Sequence, residues 1–304
     1  MSMIVKAART VRPLPSDDAS SVRLAARAAQ DCLAEAGLSP DSVGVLINVG
    51  VYREANTFEP AIAALVQKEV GINLDYLASP TPVAGFSFDL MNGACGVLNA
   101  VQVAQALLDT GSSERVLITA ADAHPGGRAA EDDAYPYADL GGALLLERTT
   151  ESGHGFGPVL LRSGDGPVGT RGYLDTAAMG TRGRGQITVE RDTDRLETLL
   201  DLAVETVNEY AGAERLDLDR TLLLCTKAAP DFADRLARRL DMDPRSVLAP
   251  AAEREEGEPH TAAPVLGYLR ALQSGPPIGR DHLLLVTVGA GPSAACVSYR
   301  PQDW

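Results

Sequence analysis

The sequence predicts an α/β protein assembled from two copies of one αβαβαβ-type unit. Three observations carry that expectation. Apolar runs of strand length alternate with longer stretches whose apolar residues recur at helical spacing. The order and spacing of these segments repeat once along the chain. The composition, 45% hydrophobic and 22% charged over 304 residues, is that of a chain with a sizeable core, long enough for one large domain or two ordinary ones.

The first copy begins near residue 20, where "SSVRLAARAAQDCLAEAGL" reads as a helix and "DSVGVLINVG" as a buried strand. "FEPAIAALVQKEVGI" is a second helix and "FSFDLMNGA" a second strand. "CGVLNAVQVAQALLDTG" is a third helix closed by Gly111, and "RVLITAADA" a third strand. The second copy begins near residue 192 with the helix "DTDRLETLLDLAVETVNEYAG" and the strand "RTLLLCTKA". The helices "DFADRLARRLDM" and "HTAAPVLGYLRALQSG" follow, then the strand "DHLLLVTVGAG". Each unit is too lopsided to bury its apolar face alone, so the two are expected to pack around a shared core, dividing the chain into 1–155 and 156–304. Helical crossovers imply mostly parallel strands. Between the copies, "ADLGGALLLER" and "GPVLLRSGDG" read as strands, whereas residues 167–188 are Gly-, Arg- and Thr-rich without periodicity, a loop or lid.

Composition also excludes functions. No stretch reaches the roughly 18 apolar residues of a membrane span, and the N-terminus lacks a secretory signal, so residence in the cytoplasm is expected. Cys32, Cys95, Cys225 and Cys296 lie far apart with no Cys/His cluster, which implies reduced thiols, no metal and no cofactor. A net charge of −14 without a basic stripe argues against a nucleic-acid partner. An acidic partner would have to dock on local arginines, because the chain has only three lysines, Lys6, Lys68 and Lys227.

The repeat yields the first site expectation. Cys95, in "FDLMNGACGVLNA", begins the third helix of the first copy, and His260 begins the equivalent helix of the second. Two helices related by a pseudo-twofold aim their N-termini at a common centre. A helix N-terminus favours thiolate, and a facing imidazole takes the thiol proton or holds an ion pair with it. The alternatives are a small residue packed in a helix for Cys95 and a solvated helix start after "EREEGEP" for His260. His124 follows a strand whose end faces the crevice, and either touches substrate or is a loop residue. His154 and His282 read as surface or strand-flanking residues, Cys32 and Cys296 as core. Cys225 reads as packed beside Thr226, which ends a strand.

The segment "FDLMNGACGVLNAVQVAQALLDTGSSERVLITAADA" resembles the active-site cysteine segment of β-ketoacyl-ACP synthase III and related thiolase-fold condensing enzymes. "AGLSPDSVGVLINVG", "TFEPAIAALVQKEVG", "YADLGGALLLE" and "VTVGAGPSAACVSY" extend the resemblance from about residue 20 to the end. It implies a thiolase fold: a five-layered αβαβα sandwich of two pseudo-twofold-related halves, forming a homodimer through the strands beside the nucleophile helix. It further implies that Cys95 takes an acyl group from a carrier-protein or coenzyme A thioester and passes it on. The N–H groups of Cys95 and Ala290 would form the oxyanion hole, and preset backbone donors of that kind contribute a few kcal/mol. Arg171, Arg182 and Arg184 would attract a phosphopantetheine phosphate or an acidic acyl carrier protein, unless they only balance surface charge.

Three departures qualify the resemblance. Thr226, in "LCTKAAPDF", stands where the family has a catalytic His, and His260, in "PHTAAP", stands where it has Asn. The N-terminal segment that grips coenzyme A is shorter. Decarboxylative Claisen condensation needs two donors for an enolate, whereas acyl transfer needs a thiolate, an oxyanion hole and one acid/base group. The expectation is therefore an acyltransferase acting on an alcohol, amine or carbon acceptor in polyketide or other specialised metabolism. β-Ketoacyl condensation and a non-catalytic partner subunit remain as alternatives.

Overall fold

The computed structural model describes residues 2–14, 19–57, 59–74, 85–127, 132–166, 169–177, 180, 183–251, 257–275, 279–289, 291–302 and 304. In chain order the elements are β1 (Ser2–Val11), α1 (Ser21–Ala36), β2 (Val45–Asn48), α2 (Ile62–Val70), β3 (Phe86–Asp89), α3 (Gly96–Asp109), β4 (Arg115–Asp122) and β5 (Leu140–Thr149). There follow β6 (Gly155–Phe156), β7 (Leu160–Ser163), β8 (Thr170–Tyr173), β9 (Thr188–Arg191), α4 (Leu196–Glu214), β10 (Thr221–Cys225), α5 (Phe232–Arg239), β11 (Val247–Leu248), α6 (Ala263–Ser274), β12 (His282–Val288) and β13 (Ser293–Arg300). Local chemistry sets the ends. The Ser20 hydroxyl accepts from Arg23 N–H to open α1, and Gly37, at φ +65°, closes it with its N–H on the Ala34 and Leu33 carbonyls.

The first sheet has the order β1-β5-β4-β2-β3, and the second runs β11-β10-β12-β13-β6, with β7 also paired to β13. The repeat is visible in this order, because β7, β13, β12, β10 and β11 follow one another as β1, β5, β4, β2 and β3 do. Both sheets are mixed rather than mostly parallel. β2 pairs in parallel with β3 and β4, and β10 with β11 and β12, since helices cross over between them. β4–β5 and β12–β13 are antiparallel, as are β1–β5 and β13–β7. The N-terminal "SMIVKAARTV", not read as a strand from sequence, becomes the edge strand β1 because β5 offers it a partner. Within the aperiodic 167–188 stretch and just beyond it, β8 and β9 pair as an antiparallel hairpin; its largely exposed side chains leave no burial period to detect.

Successive side chains on the central strands point to opposite faces, so each sheet is covered on both. Val116 and Ile118 of β4 join Leu98, Val101 and Leu108 of α3 and Val265 and Ala271 of α6 in the layer between the sheets. Leu117 faces the other way, toward Leu24, Ala25 and Ala29 of α1 and Ala63 and Val66 of α2. The second sheet is covered outside by Val207 and Tyr210 of α4 and Leu236 of α5. The result is a five-layered αβαβα sandwich with α3 and α6 in its middle. Among the described residues no helix is long and apolar enough to cross a membrane.

Candidate active site

The start of α3 is a tight turn, Gly93–Cys95, with Gly93 at φ +51°. Cys95 follows at the helix N-cap, 1% exposed. Gly289, just past the end of β12, lies close to the same site: a Cβ there would lie 2.5 Å from Ser293 Oγ and 3.4 Å from Cys95 Sγ. Burial pushes the Cys95 thiol up to about 11, opposed only in part by the polar groups of Thr287, Ser293 and the Ala295 backbone near it. The helix-end field expected to favour thiolate is thus outweighed by desolvation. Cys95 rests as a thiol and needs a base. Its N–H, expected as an oxyanion donor, closes the preceding turn on Asn92 O at 3.0 Å.

His260 opens the turn His260–Ala262 that leads into α6, and this turn packs on the Gly93–Cys95 turn. Its backbone lies at φ +40°, a left-handed conformation uncommon for a residue with a side chain. The ring is buried, stacked on Tyr137 at 4.1 Å between centroids and near Tyr52 at 5.5 Å. Nδ1 lies 3.0 Å from Asp122 Oδ2. A carboxylate oxygen only accepts, so Nδ1 carries the proton and Nε2 is left as the acceptor. Asp122, the last residue of β4 and 1% exposed, also accepts from Val51 N–H (3.0 Å), Tyr52 N–H (2.9 Å), Thr261 N–H (3.1 Å) and the Thr261 hydroxyl (2.5 Å). Burial opposes its charge, but His260 and the hydrogen bonds from His260, Thr261 and Tyr52 together hold the carboxyl below the usual carboxylate range.

His260 and Tyr137 border a cleft of about 250 Å³, whose described lining reaches the Cys95 turn at Ala94, while Cys95 and Asp122 lie buried behind it. One wall carries Ala94, Tyr137, Glu258, His260 and Gly289. The other is mostly apolar, with Leu196, Leu199, Ala228, Ala229, Pro230 and Val288. Arg191, from the end of β9, also lines the cleft. It binds Glu258 at 2.6 Å and sets its guanidinium 5.0 Å from the Tyr137 ring centroid, tying the β8–β9 hairpin to this wall. Glu258 is itself fixed by backbone bonds to Ala138 N–H and Pro136 O, each 2.9 Å.

Of the residues singled out from sequence, the fold brings the turns of Cys95 and His260 together. Thr226 is not among the described residues lining the cleft. It is 3% exposed, its hydroxyl accepts from Val288 N–H at 3.1 Å, and its N–H reaches Val286 O at 3.2 Å, so it ties the ends of β10 and β12. Ala290 and Arg182 lie outside the described residues. Arg171 pairs with Glu190 at 2.9 Å on the exposed hairpin, and Arg184 is exposed in the turn Gly183–Gly185. Neither is among the described residues of the cleft. His124 is a buried turn residue, with Nδ1 accepting from Gly126 N–H at 2.9 Å and Nε2 3.1 Å from Asp132. Cys32 and Cys225 are buried, and burial raises each thiol to about 12. Sequence reasoning missed Asp122, Tyr137, Arg191 and Glu258. For Asp122 a signal was present, a lone carboxylate ending the otherwise apolar strand "VLITAAD".

A five-layered sandwich with a cysteine and a histidine at facing helix starts defines the chain as a thiolase-fold protein. A model of the 3-oxoacyl-[acyl-carrier-protein] synthase III family matches residues 88–164, the stretch from the end of β3 to just beyond β7. A β-ketoacyl-[acyl-carrier-protein] synthase III of Cereibacter sphaeroides is 35% identical over 132 residues, a match spanning 43% of this chain and 37% of that relative. The corresponding Brucella canis protein is 25% identical over 92% of this chain and 84% of its own. Among solved structures, the priming β-ketosynthase of the R1128 polyketide biosynthetic pathway superposes with a TM-score of 0.76 at 18% identity, covering 99% of this chain and 97% of that one, a likeness of fold. The chain is thus similar in sequence to β-ketoacyl-[acyl-carrier-protein] synthase III proteins and shares the fold of the priming ketosynthase.

Proposed function

We propose that the protein is an acyltransferase that loads an acyl group from a carrier-protein or coenzyme A thioester onto Cys95 and passes it to an O–H or N–H acceptor. One observation carries this reading: His260 borders the cleft with Nδ1 engaged by Asp122, and its turn packs on the turn that carries the Cys95 thiol. In the first step the thiol proton passes to Nε2 as sulfur attacks the thioester carbonyl. Collapse expels the donor thiolate, which takes the proton back from the imidazolium. In the second step an acceptor O–H or N–H attacks the acyl–Cys95 thioester and gives its proton to Nε2, and the released cysteine sulfur recovers it. The apolar wall suits a hydrocarbon acyl chain. Substrates of this kind, and the similarity to a polyketide priming enzyme, fit a role in specialised metabolism in the cytoplasm.

Condensation onto a carbon acceptor is the second reading, favoured by the similarity to β-ketoacyl-[acyl-carrier-protein] synthase III proteins. Against it, Thr226 is buried away from the described lining of the cleft, leaving His260 as one donor where an enolate needs two. The organisation that accompanies the proposal is two domains, 1–155 and 156–304. It also includes a homodimer through the edge strand β3, whose Phe86 is 59% exposed and is followed by an exposed Met91.

Intact-protein mass spectrometry with a panel of acyl-carrier-protein and acyl-CoA thioesters tests the reading. The expected outcome is a mass gain of one acyl group, absent in Cys95→Ala and discharged by alcohols or amines. Discharge only with loss of carbon dioxide from a malonyl thioester would establish condensation. No gain with any donor would turn the protein into a non-catalytic partner.

A further inference from the structure

The acyl-transfer reading leaves one buried carboxylate without a part. Asp122 belongs to β4 and His260 to the start of α6, 138 positions apart, and both are buried at their meeting point. Five donors converge on the carboxylate: the N–H groups of Val51, Tyr52 and Thr261, the Thr261 hydroxyl, and His260 Nδ1. Val51, Tyr52 and Thr261 alone satisfy the carboxylate as a brace between the two turns. The imidazole is an additional partner, and its residue holds a strained backbone, φ +40°, while making the contact. Strain of that kind persists where the surroundings over-determine it, and it gathers at functional sites.

We infer that Asp122 is the positioning residue of His260, holding the ring as its Nδ1–H tautomer with Nε2 directed to the cleft and stabilising the imidazolium formed there. Its part in turnover rests on the acyl-transfer reading. Its hold on the ring does not. Asp122 takes no proton in either step. With five donors on its two oxygens it stays a carboxylate, and the proton moves only between the reacting sulfur, oxygen or nitrogen and Nε2. Tyr137 stacks on the ring and Tyr52 lies near it, and burial among them strengthens the interaction by lowering the local dielectric. For a metal-bound histidine, losing the partner on its second nitrogen typically costs about 10–100-fold in activity, and a loss of like size is expected for this ring.

The decisive measurement is the tautomeric state of His260 by long-range ¹H–¹⁵N correlation on the full ¹⁵N-labelled chain at neutral pH, with His260→Gln to assign the signal. The Nδ1–H pattern is expected, and the Nε2–H pattern would overturn the inference. This readout needs no acyl donor, so it stands even if Cys95 never accepts one. Asp122→Asn supplies the second arm, because it replaces one accepting oxygen with an NH₂ facing other donors. The folded variant is expected to lose the fixed tautomer and to discharge a preformed acyl–Cys95 about 10–100-fold more slowly. A folded Asp122→Asn with wild-type tautomer and discharge rate would refute the role. If that variant does not fold, the wild-type spectrum alone decides.

Discussion

Cys95 shows how burial reverses a local preference. A thiol at a helix N-terminus gains from the end field, yet desolvation at 1% exposure is larger and lifts it to about 11. Reaction with iodoacetamide, followed by peptide mass spectrometry, is therefore expected to keep accelerating about tenfold per pH unit well past the ordinary cysteine value of about 8.5. Levelling off near neutrality would mean an ion pair with His260 already formed at rest. The same residue scale explains the histidines. His124 spends both ring nitrogens on Gly126 and Asp132 and serves a turn, whereas His260 spends one and keeps the other.

At the scale of elements, the site depends on how closely three turns approach. A Cβ at residue 289, in the turn after β12, would stand in ordinary contact with the Cys95 sulfur at 3.4 Å and would crowd Ser293 Oγ at 2.5 Å. Gly289→Val would place methyl groups against Ser293 Oγ and Cys95 Sγ. The expected result is a drop of more than about tenfold in Cys95 acylation or alkylation for a destabilisation of about 1–3 kcal/mol, compared by parallel kinetics and thermal melts. Unchanged alkylation would show that the thiol is approached from another side. Thr226 matters at this scale too. Its hydroxyl ties β12 to β10 and so sets where that turn begins, a role its place at a strand end hinted at without naming the partner.

For the whole molecule, the central layer of α3 and α6 is shared by both sheets, so neither half completes its core alone. Leu98, fully buried there, is the probe. Leu98→Ala is expected to cost about 2–5 kcal/mol in chemical denaturation while unfolding stays a single transition. Two separated transitions would show that the halves fold independently and that the shared layer adds little.

Period and order along the chain were enough to read the helices α1 to α6 and the central strands other than β13, because a face that must be buried leaves a repeat of 3.6 or 2 in the residues themselves. The doubling of the unit was legible for the same reason, and with it the placement of Cys95 and His260 at equivalent helix starts. Edge strand β1 was not, because its strand state comes from β5 rather than from its own pattern. Nor was the β8–β9 hairpin, whose exposed faces carry no period. The Asp122–His260 contact, the Tyr137–Arg191–Glu258 wall and the capture of Thr226 by Val288 arise from sheet register and helix packing between distant segments. A pattern of burial says which way a side chain faces. What it meets there is settled by the three-dimensional arrangement, since pairing is a property of two segments and periodicity of one.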